Sequence, residues 1–382
     1  MSGHSIFGSL ALVSLVLLFW QWLVARRFPL HTHGSKADFL PAITILKPLK
    51  GVDAETAECL RSWLRLEYPA EVQFICCLDQ NDDEIRDLVR ILIAEFPEQM
   101  VSVVLCDQWI GPNAKVCKLH CALPDVRHDF VVVSDADTLV EPEFLRRLVQ
   151  PLADEQVGLV NCFYRFANPS TPAMWWEAIG VGADFWSQVL QSNSIKPMDF
   201  ALGAVMLMRR QALEESGGFR ALVDFLADDY ELGNRIARRG FRIELSSDVV
   251  ECHERKVGWG VAWLHQLRWA RTIRGCQPAP YFFSILNNVT LWMLLWWATS
   301  ESVVWPLAVS GLLVRALVGS DLMRRLNRSC DHVPWLWMLY VKDLLGVLIW
   351  LIAFLGDSIT WRGERYRIRA GGKLEVSNRD KR

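Results

Sequence analysis

From Ile6 to Val24 the chain is almost wholly apolar, and the run closes on the charged pair Arg26-Arg27. A helix of this length crosses the hydrocarbon core of a bilayer, which takes roughly 20 residues. The residues ahead of it carry no Lys or Arg, and no small-residue cleavage site precedes the arginine pair, so the pattern is not that of a removable signal sequence. Residues 1–27 are therefore expected to anchor the chain in a membrane. The arginine pair places the chain beyond it in the cytoplasm.

Between residues 41 and 274 the pattern changes. Short β-branched runs at Ile43–Leu46, Val72–Leu78, Val101–Cys106 and Phe130–Ser134 alternate with helical stretches such as Ala54–Leu64 and Asp83–Phe96. Such alternation predicts right-handed βαβ units, hence an α/β domain with a mostly parallel sheet. Val157–Cys162, Ala204–Met208 and Arg242–Leu245 supply further strands. The domain is expected to close on an amphipathic helix from about Gly260 to Ile273, with Trp263, Leu264, Leu267 and Trp269 greasy and Arg268, Arg271 and Arg274 cationic. On its own this reads as an interfacial membrane helix with snorkelling arginines.

Past Pro278 the chain is apolar again. Tyr281–Ala298 and Val303–Val318 both approach spanning length, separated by the polar link Thr299-Ser300-Glu301-Ser302, and predict a transmembrane hairpin over residues 279–320 with Arg315 snorkelling. Trp335–Leu355 is apolar too, but Lys342 and Asp343 sit near its middle, and burying such a pair in lipid costs about a few kcal/mol per charge. Residues 334–356 are therefore expected to be re-entrant or interfacial, with a third C-terminal membrane segment as the alternative. Residues 357–382 form a basic tail expected in the cytoplasm.

Composition agrees with this layout. Hydrophobic residues make up 52% of the chain, 18 residues are Trp, and the mean hydropathy is +0.16. A net charge of -2 gives no reason to expect nucleic acid as a partner. The ten cysteines show neither a disulfide framework nor paired CxxC spacing, and read as buried, reduced thiols.

Within this layout a few residues carry chemistry. The strand Val131-Val132-Val133-Ser134 runs into Asp135-Ala136-Asp137, two carboxylates at the strand end where α/β sheets bind ligands. They form either an ordinary turn or a site for a hard divalent cation such as Mg²⁺ or Mn²⁺ carrying a diphosphate. Lys47 closes the first strand, where it can approach a nucleotide or sit in a solvated turn, and Asp79 ends the second, with Asp82 or Asp83 as a helix cap. Lys115 stands at a helix N-terminus, a place unfavourable for a cation unless an anion lies near. Asp228-Asp229-Tyr230 opens another helix, where one acid can cap and the other accept a proton. Trp175-Trp176 and Phe185-Trp186 are either core or membrane-interface aromatics.

Taken in order, Asp79, Asp135-Ala136-Asp137, Asp228-Asp229-Tyr230 and His265-Gln266-Leu267-Arg268-Trp269, flanked by membrane segments, resemble the membrane-bound GT-A glycosyltransferases. More narrowly the chain is similar to the ceramide glucosyltransferase family and its bacterial hopanoid-glycosylating relatives, in Lys47–Asp53, Gly217-Gly218-Phe219 and the tail from Trp361 to Gly372 as well. The resemblance implies a Rossmann-like GT-A domain in the cytosol, held at a bacterial inner membrane. It implies inverting transfer of glucose or N-acetylglucosamine from a UDP-sugar to a lipid hydroxyl, whether of ceramide, a hopanoid polyol or a related lipid. Asp79 would contact the uracil or ribose, Asp135 and Asp137 the metal on the diphosphate, and Lys47 and Lys115 the donor. Asp229 would be the general base, with Arg268 and Trp269 closing over the diphosphate and acceptor. The family usually has Gln or Arg where this chain has His265, whose charge depends on pH. A processive polysaccharide synthase is the alternative enzyme, though few crossings are visible for a polymer channel, and a membrane scaffold with a decayed site is the alternative of another class.

Overall fold

The computed structural model describes residues 3–32, 38–300, 304–361 and 364–376. It divides into two units, one of Leu30–Asn168 with Pro197–Arg255 and one of Met1–Pro29, Pro169–Lys196 and Lys256–Arg382.

The first unit is built on one eight-stranded sheet. Its strands are β1 (Ile43–Pro48), β2 (Val72–Asp79), β3 (Met100–Cys106), β4 (Phe130–Ser134), β5 (Thr138–Leu139), β6 (Val157–Phe166), β7 (Val205–Arg209) and β8 (Arg242–Cys252), in the order β3-β2-β1-β4-β7-β6-β8-β5. β3, β2, β1 and β4 run parallel, as the βαβ alternation predicts. β7 then enters antiparallel between β4 and β6, β8 runs parallel to β6, and β5 closes the edge antiparallel to β8. The sheet is thus mixed, yet β3, β2, β1, β4, β6 and β8 all run the same way and only β7 and β5 oppose them, which keeps it mostly parallel as expected. β1 and β4 are buried along their whole length, which is why residues 43–46 and 130–133 are rich in β-branched residues with no polar alternation. Ile43, Ile45, Leu60, Trp63, Phe74 and Val132 form part of the core beneath them. This stacking brings the C-terminal ends of β1, β2 and β4 to one edge, carrying Lys47, Asp79 and Asp135.

In the second unit three helices among the described residues are long and apolar enough to cross a membrane: Gly3–Arg27, Trp305–Asn327 and Trp337–Phe354. Two expectations change here. Tyr281–Ala298 does not form one helix but breaks at Asn288, whose side chain caps a separate helix Val289–Thr299 by accepting from Leu291 N–H at 2.9 Å. At 11 residues that helix is about 16 Å long, short of the ~30 Å core. Conversely, the stretch expected to be re-entrant is an uninterrupted 18-residue helix, Trp337–Phe354.

The charges that argued against that helix have partners. Arg315 is buried rather than snorkelling and donates to Asp343 Oδ2 at 3.0 Å from Nε and to Asp343 Oδ1 at 2.9 Å from Nη2. It also meets Asp184 at 2.9 Å, while Lys342 pairs with Asp184 and, at 2.7 Å, with Asp343. Two cations and two anions close on one another, so the network carries no net charge. Trp176 and Trp186 are core residues, 3% and 0% exposed, not interface anchors.

The tail beyond residue 357 is more than a basic extension. β9 (Ser358–Trp361), β10 (Glu364–Ile368) and β11 (Leu374–Val376) form an antiparallel sheet. Glu301, Ser302 and Val303 of the expected hairpin, Arg362 and Gly363 of the tail motif, and residues 377–382 lie outside the described residues.

Candidate active site

β4 carries the chain to the sheet edge, and the turn at its end is held from several sides. Asp135 N–H donates to Ala204 C=O at 3.1 Å, and His253 N–H to Asp137 C=O at 2.9 Å. Beneath the turn lies Lys47, 0% exposed. Its ammonium donates to Ser134 Oγ at 3.0 Å, Asp135 C=O at 2.8 Å and Thr138 Oγ1 at 3.1 Å, and sits 4.1 Å over the Trp63 ring. An ammonium has three protons, and all three are committed. Lys47 therefore supports the aspartate turn instead of reaching a nucleotide as expected from the sequence. Burial pulls its pKa down to about 7, partly offset by nearby groups including Asp137 and Asp135.

Lys115 is where the expected residues converge. It follows Asn113, which caps the helix Ala114–Ala122 by accepting from Val116 N–H at 3.2 Å. The Lys115 ammonium lies 2.7 Å from Asp135 Oδ1 and 3.5 Å from Asp228 Oδ2. Burial works against its charge, but the carboxylates of Asp135 and Asp228 outweigh this and hold its pKa above the usual lysine value. The anion that its helix position called for is thus supplied by the site itself. Asn113 also donates from Nδ2 to Phe225 C=O at 2.8 Å and Asp228 Oδ1 at 3.4 Å, tying the two helix starts together.

Asp229 is the second of the paired acids at the head of the helix Asp228–Arg238. Its Oδ1 accepts from Tyr230 N–H at 2.8 Å. Burial, with the charge of Asp228 adding to it, lifts its pKa to about 6. Space for the carboxylate depends on Gly203, where a Cβ would lie 2.6 Å from Asp229 Oδ2. Nothing in the sequence pattern marks Gly203, because the contact is made across 26 residues of chain.

Asp137 is also lifted to about 6, by burial and by Asp135 beside it. Its Oδ1 is buried without a hydrogen-bond partner. A buried anionic oxygen left without a donor suits a cation. Among the described residues no three His, Cys, Asp or Glu side chains gather into a complete metal cage. Two carboxylates completed by water and phosphate oxygens are the donor set Mg²⁺ takes in phosphoryl sites, so these residues fit such an ion.

Asp79 ends β2 at the same sheet edge, two strands from Asp135, and accepts from Asn81 N–H at 3.2 Å. The neighbouring cap is Asp82, which accepts from Gly51 N–H at 2.7 Å and Ile85 N–H at 3.4 Å. His265, Arg268 and Trp269 lie on the helix Trp259–Cys276 of the second unit, where the His265 and Trp269 rings meet at 4.6 Å.

The family model for glycosyl transferase family 21 matches residues 6–374. The chain belongs to that family. It is therefore a glycosyltransferase, not a scaffold. Relatives of this family-21 enzyme include ceramide glucosyltransferase 3 of Caenorhabditis elegans, 21% identical over 96% of this chain and 82% of the relative. The β-monoglucosyldiacylglycerol synthase of Trichormus variabilis is 27% identical over 63% of this chain and 51% of its own. Among solved structures, the mannosyltransferase PcManGT from Pyrobaculum calidifontis, in complex with GDP-Man and Mn²⁺, aligns with a TM-score of 0.53 at 21% identity, covering 91% of this chain and 99% of that one. The fold is GT-A-like.

Proposed function

We propose that this family-21 enzyme moves glucose or N-acetylglucosamine from a UDP-sugar to the hydroxyl of a membrane lipid in one inverting displacement. The observation that carries the reading is the cluster of Asp135, Asp137, Lys115, Asp228 and Asp229 at one end of the sheet. The membrane-spanning lengths of three helices and the lipid acceptors named for the ceramide and diacylglycerol relatives support a lipid acceptor. The enzyme is read as integral to a bacterial inner membrane, with its catalytic unit in the cytoplasm.

Asp135 and Asp137 would hold a divalent ion, Mg²⁺ or Mn²⁺, which when bound supplies positive charge where the departing nucleoside diphosphate becomes more negative. Lys115 keeps Asp135 and Asp228 at fixed places around that point. Asp229 accepts the acceptor hydroxyl's proton on its carboxylate, and a pKa of about 6 leaves it ionised at neutral pH yet more basic than an ordinary aspartate. Asp79 is assigned to the uracil or ribose, and Arg268 and Trp269 to the diphosphate.

Incubating membranes that contain the full chain with labelled UDP-glucose and UDP-N-acetylglucosamine should place label in a lipid identifiable by mass spectrometry. A ceramide, diacylglycerol or hopanoid product names the acceptor. Label only in a polymer would replace this reading with a polysaccharide synthase, and unlabelled lipid with both donors would end it.

Lys47→Met tests the scaffold beneath the turn. It keeps an unbranched apolar stem but strips Ser134, Thr138 and the Asp135 carbonyl of their shared donor. The metal concentration for half-maximal activity should rise about tenfold or more, as when groups orienting metal ligands are lost. An unchanged metal titration would show that the turn holds itself.

A further inference from the structure

Apart from the acidic cluster, one carboxylate is buried against the helix that carries His265. Glu177, on the helix Pro172–Gly180, is 3% exposed and lies beside Ala173, Trp176 and Ile179 of an apolar cluster. Its Oε1 lies 2.7 Å from His265 Nδ1, at hydrogen-bond distance, and accepts from Gln266 Nε2 at 3.0 Å. A carboxylate in such surroundings is strongly disfavoured unless a partner of opposite charge or strong donors meet it. Among the described residues Glu177 has no ion pair with a lysine or arginine; its basic partner is the His265 ring, 2.7 Å away. The two helices are further registered by Trp176, whose ring lies 5.6 Å from that of Trp259 and 6.2 Å from that of Trp263.

The bond has a chemical consequence. An ionised carboxylate only accepts, so Nδ1 must carry a proton, and Nε2 is the nitrogen left on the other side of the ring. The same ring meets Trp269 edge to face, at 4.6 Å between centroids and 61° between planes. One carboxylate therefore sets both which nitrogen of His265 is left uncommitted to Glu177 and the surface on which the indole one turn later rests.

We propose that Glu177 is a positioning residue for the transfer reaction, fixing the ring of His265 and through it Trp269 in the arrangement turnover needs. This rests on the transferase reading above. The competing role is purely architectural, a buried polar contact that joins two helices whatever stands at position 265.

A double-mutant cycle in the full membrane-bound chain separates the two roles: wild type, Glu177→Gln, His265→Gln and the double variant, each assayed for kcat/KM of the donor. The amide of Glu177→Gln keeps the shape but can either donate or accept, so the ring's protonated nitrogen is no longer dictated. With His265 in place the change should lower kcat/KM about tenfold or more. In the His265→Gln background the same change should cost less than about threefold, because an amide has no tautomer to set. A Glu177→Gln protein that folds only alongside His265→Gln reports the same coupling. Equal losses in both backgrounds, no loss with His265 present, or failure to fold in both would overturn the proposal. Wild-type membranes that form no glycolipid would retract the transferase reading itself, whereas active wild type with equal losses overturns only the role of Glu177.

Discussion

Asp229→Asn is expected to lower turnover by about 10²–10⁴-fold, the usual contribution of a positioned general base, while donor binding is retained. The amide is isosteric, so its Oδ1 can still accept from Tyr230 N–H and still fits the space left by Gly203. What it loses is the ability to take a proton. The wild-type pH profile should show the same group. Burial and the charge of Asp228 raise the Asp229 pKa to about 6, so activity should climb through that pH, about tenfold per unit on the acid side. That limb should be missing from whatever activity the variant keeps. Because the folded-state pKa lies above the ordinary aspartate value, the folded protein holds this proton more tightly than the unfolded chain. The associated stability is fully present at pH below about 4 and is lost as pH rises through about 6. At pH 7.5 the neutral amide should therefore leave Tm unchanged or higher, so lost activity cannot be ascribed to unfolding. Turnover at wild-type rates would mean that another group takes the proton.

Asp135→Ala and Asp137→Ala should each remove activity together with its dependence on divalent metal. Asp137 is buried, has an oxygen with no donor, and is pushed up to about 6 by burial and by Asp135. With Lys47 and Lys115 both near, the Asp137 pKa still stands raised, so keeping that carboxylate ionised near neutral pH calls for further positive charge. Addition of Mg²⁺ or Mn²⁺ to wild type should consequently raise Tm, and by more at pH 7.5 than at pH 5.5, where protons compete for Asp137. Either alanine variant should lose most of that gain. Full activity of the wild type in excess chelator would sink the metal reading.

The parts of the site that were legible before folding are those where chemistry and chain position coincide. The run Val131-Val132-Val133 is fully buried in β4, and the acids after it stand at the sheet edge, because a covered strand must be apolar until it emerges. Lys115 at the head of its helix implied an anion nearby, and Asp135 and Asp228 provide it. Lys47 was legible as important but not in its role. Whether a lysine at a strand end points outward or under a neighbouring turn depends on what β4 and β5 place above it.

Local pattern alone gives the long apolar helix Gly3–Arg27, the alternation that builds the sheet unit, and the order of acids typical of a GT-A-like enzyme. Each arises from local periodicity or from a residue type at an element's end. Tertiary structure decided the insertion of β7 antiparallel into the sheet, the service of Gly203 to Asp229, and the reach of Glu177 to His265. It also decided the helix Trp337–Phe354. Lys342 and Asp343 count as a prohibitive charge pair when read along one segment, and Arg315 and Asp184, distant in sequence, turn them into a closed and neutral network. A charge's cost depends on its partners, and those partners come from other parts of the chain.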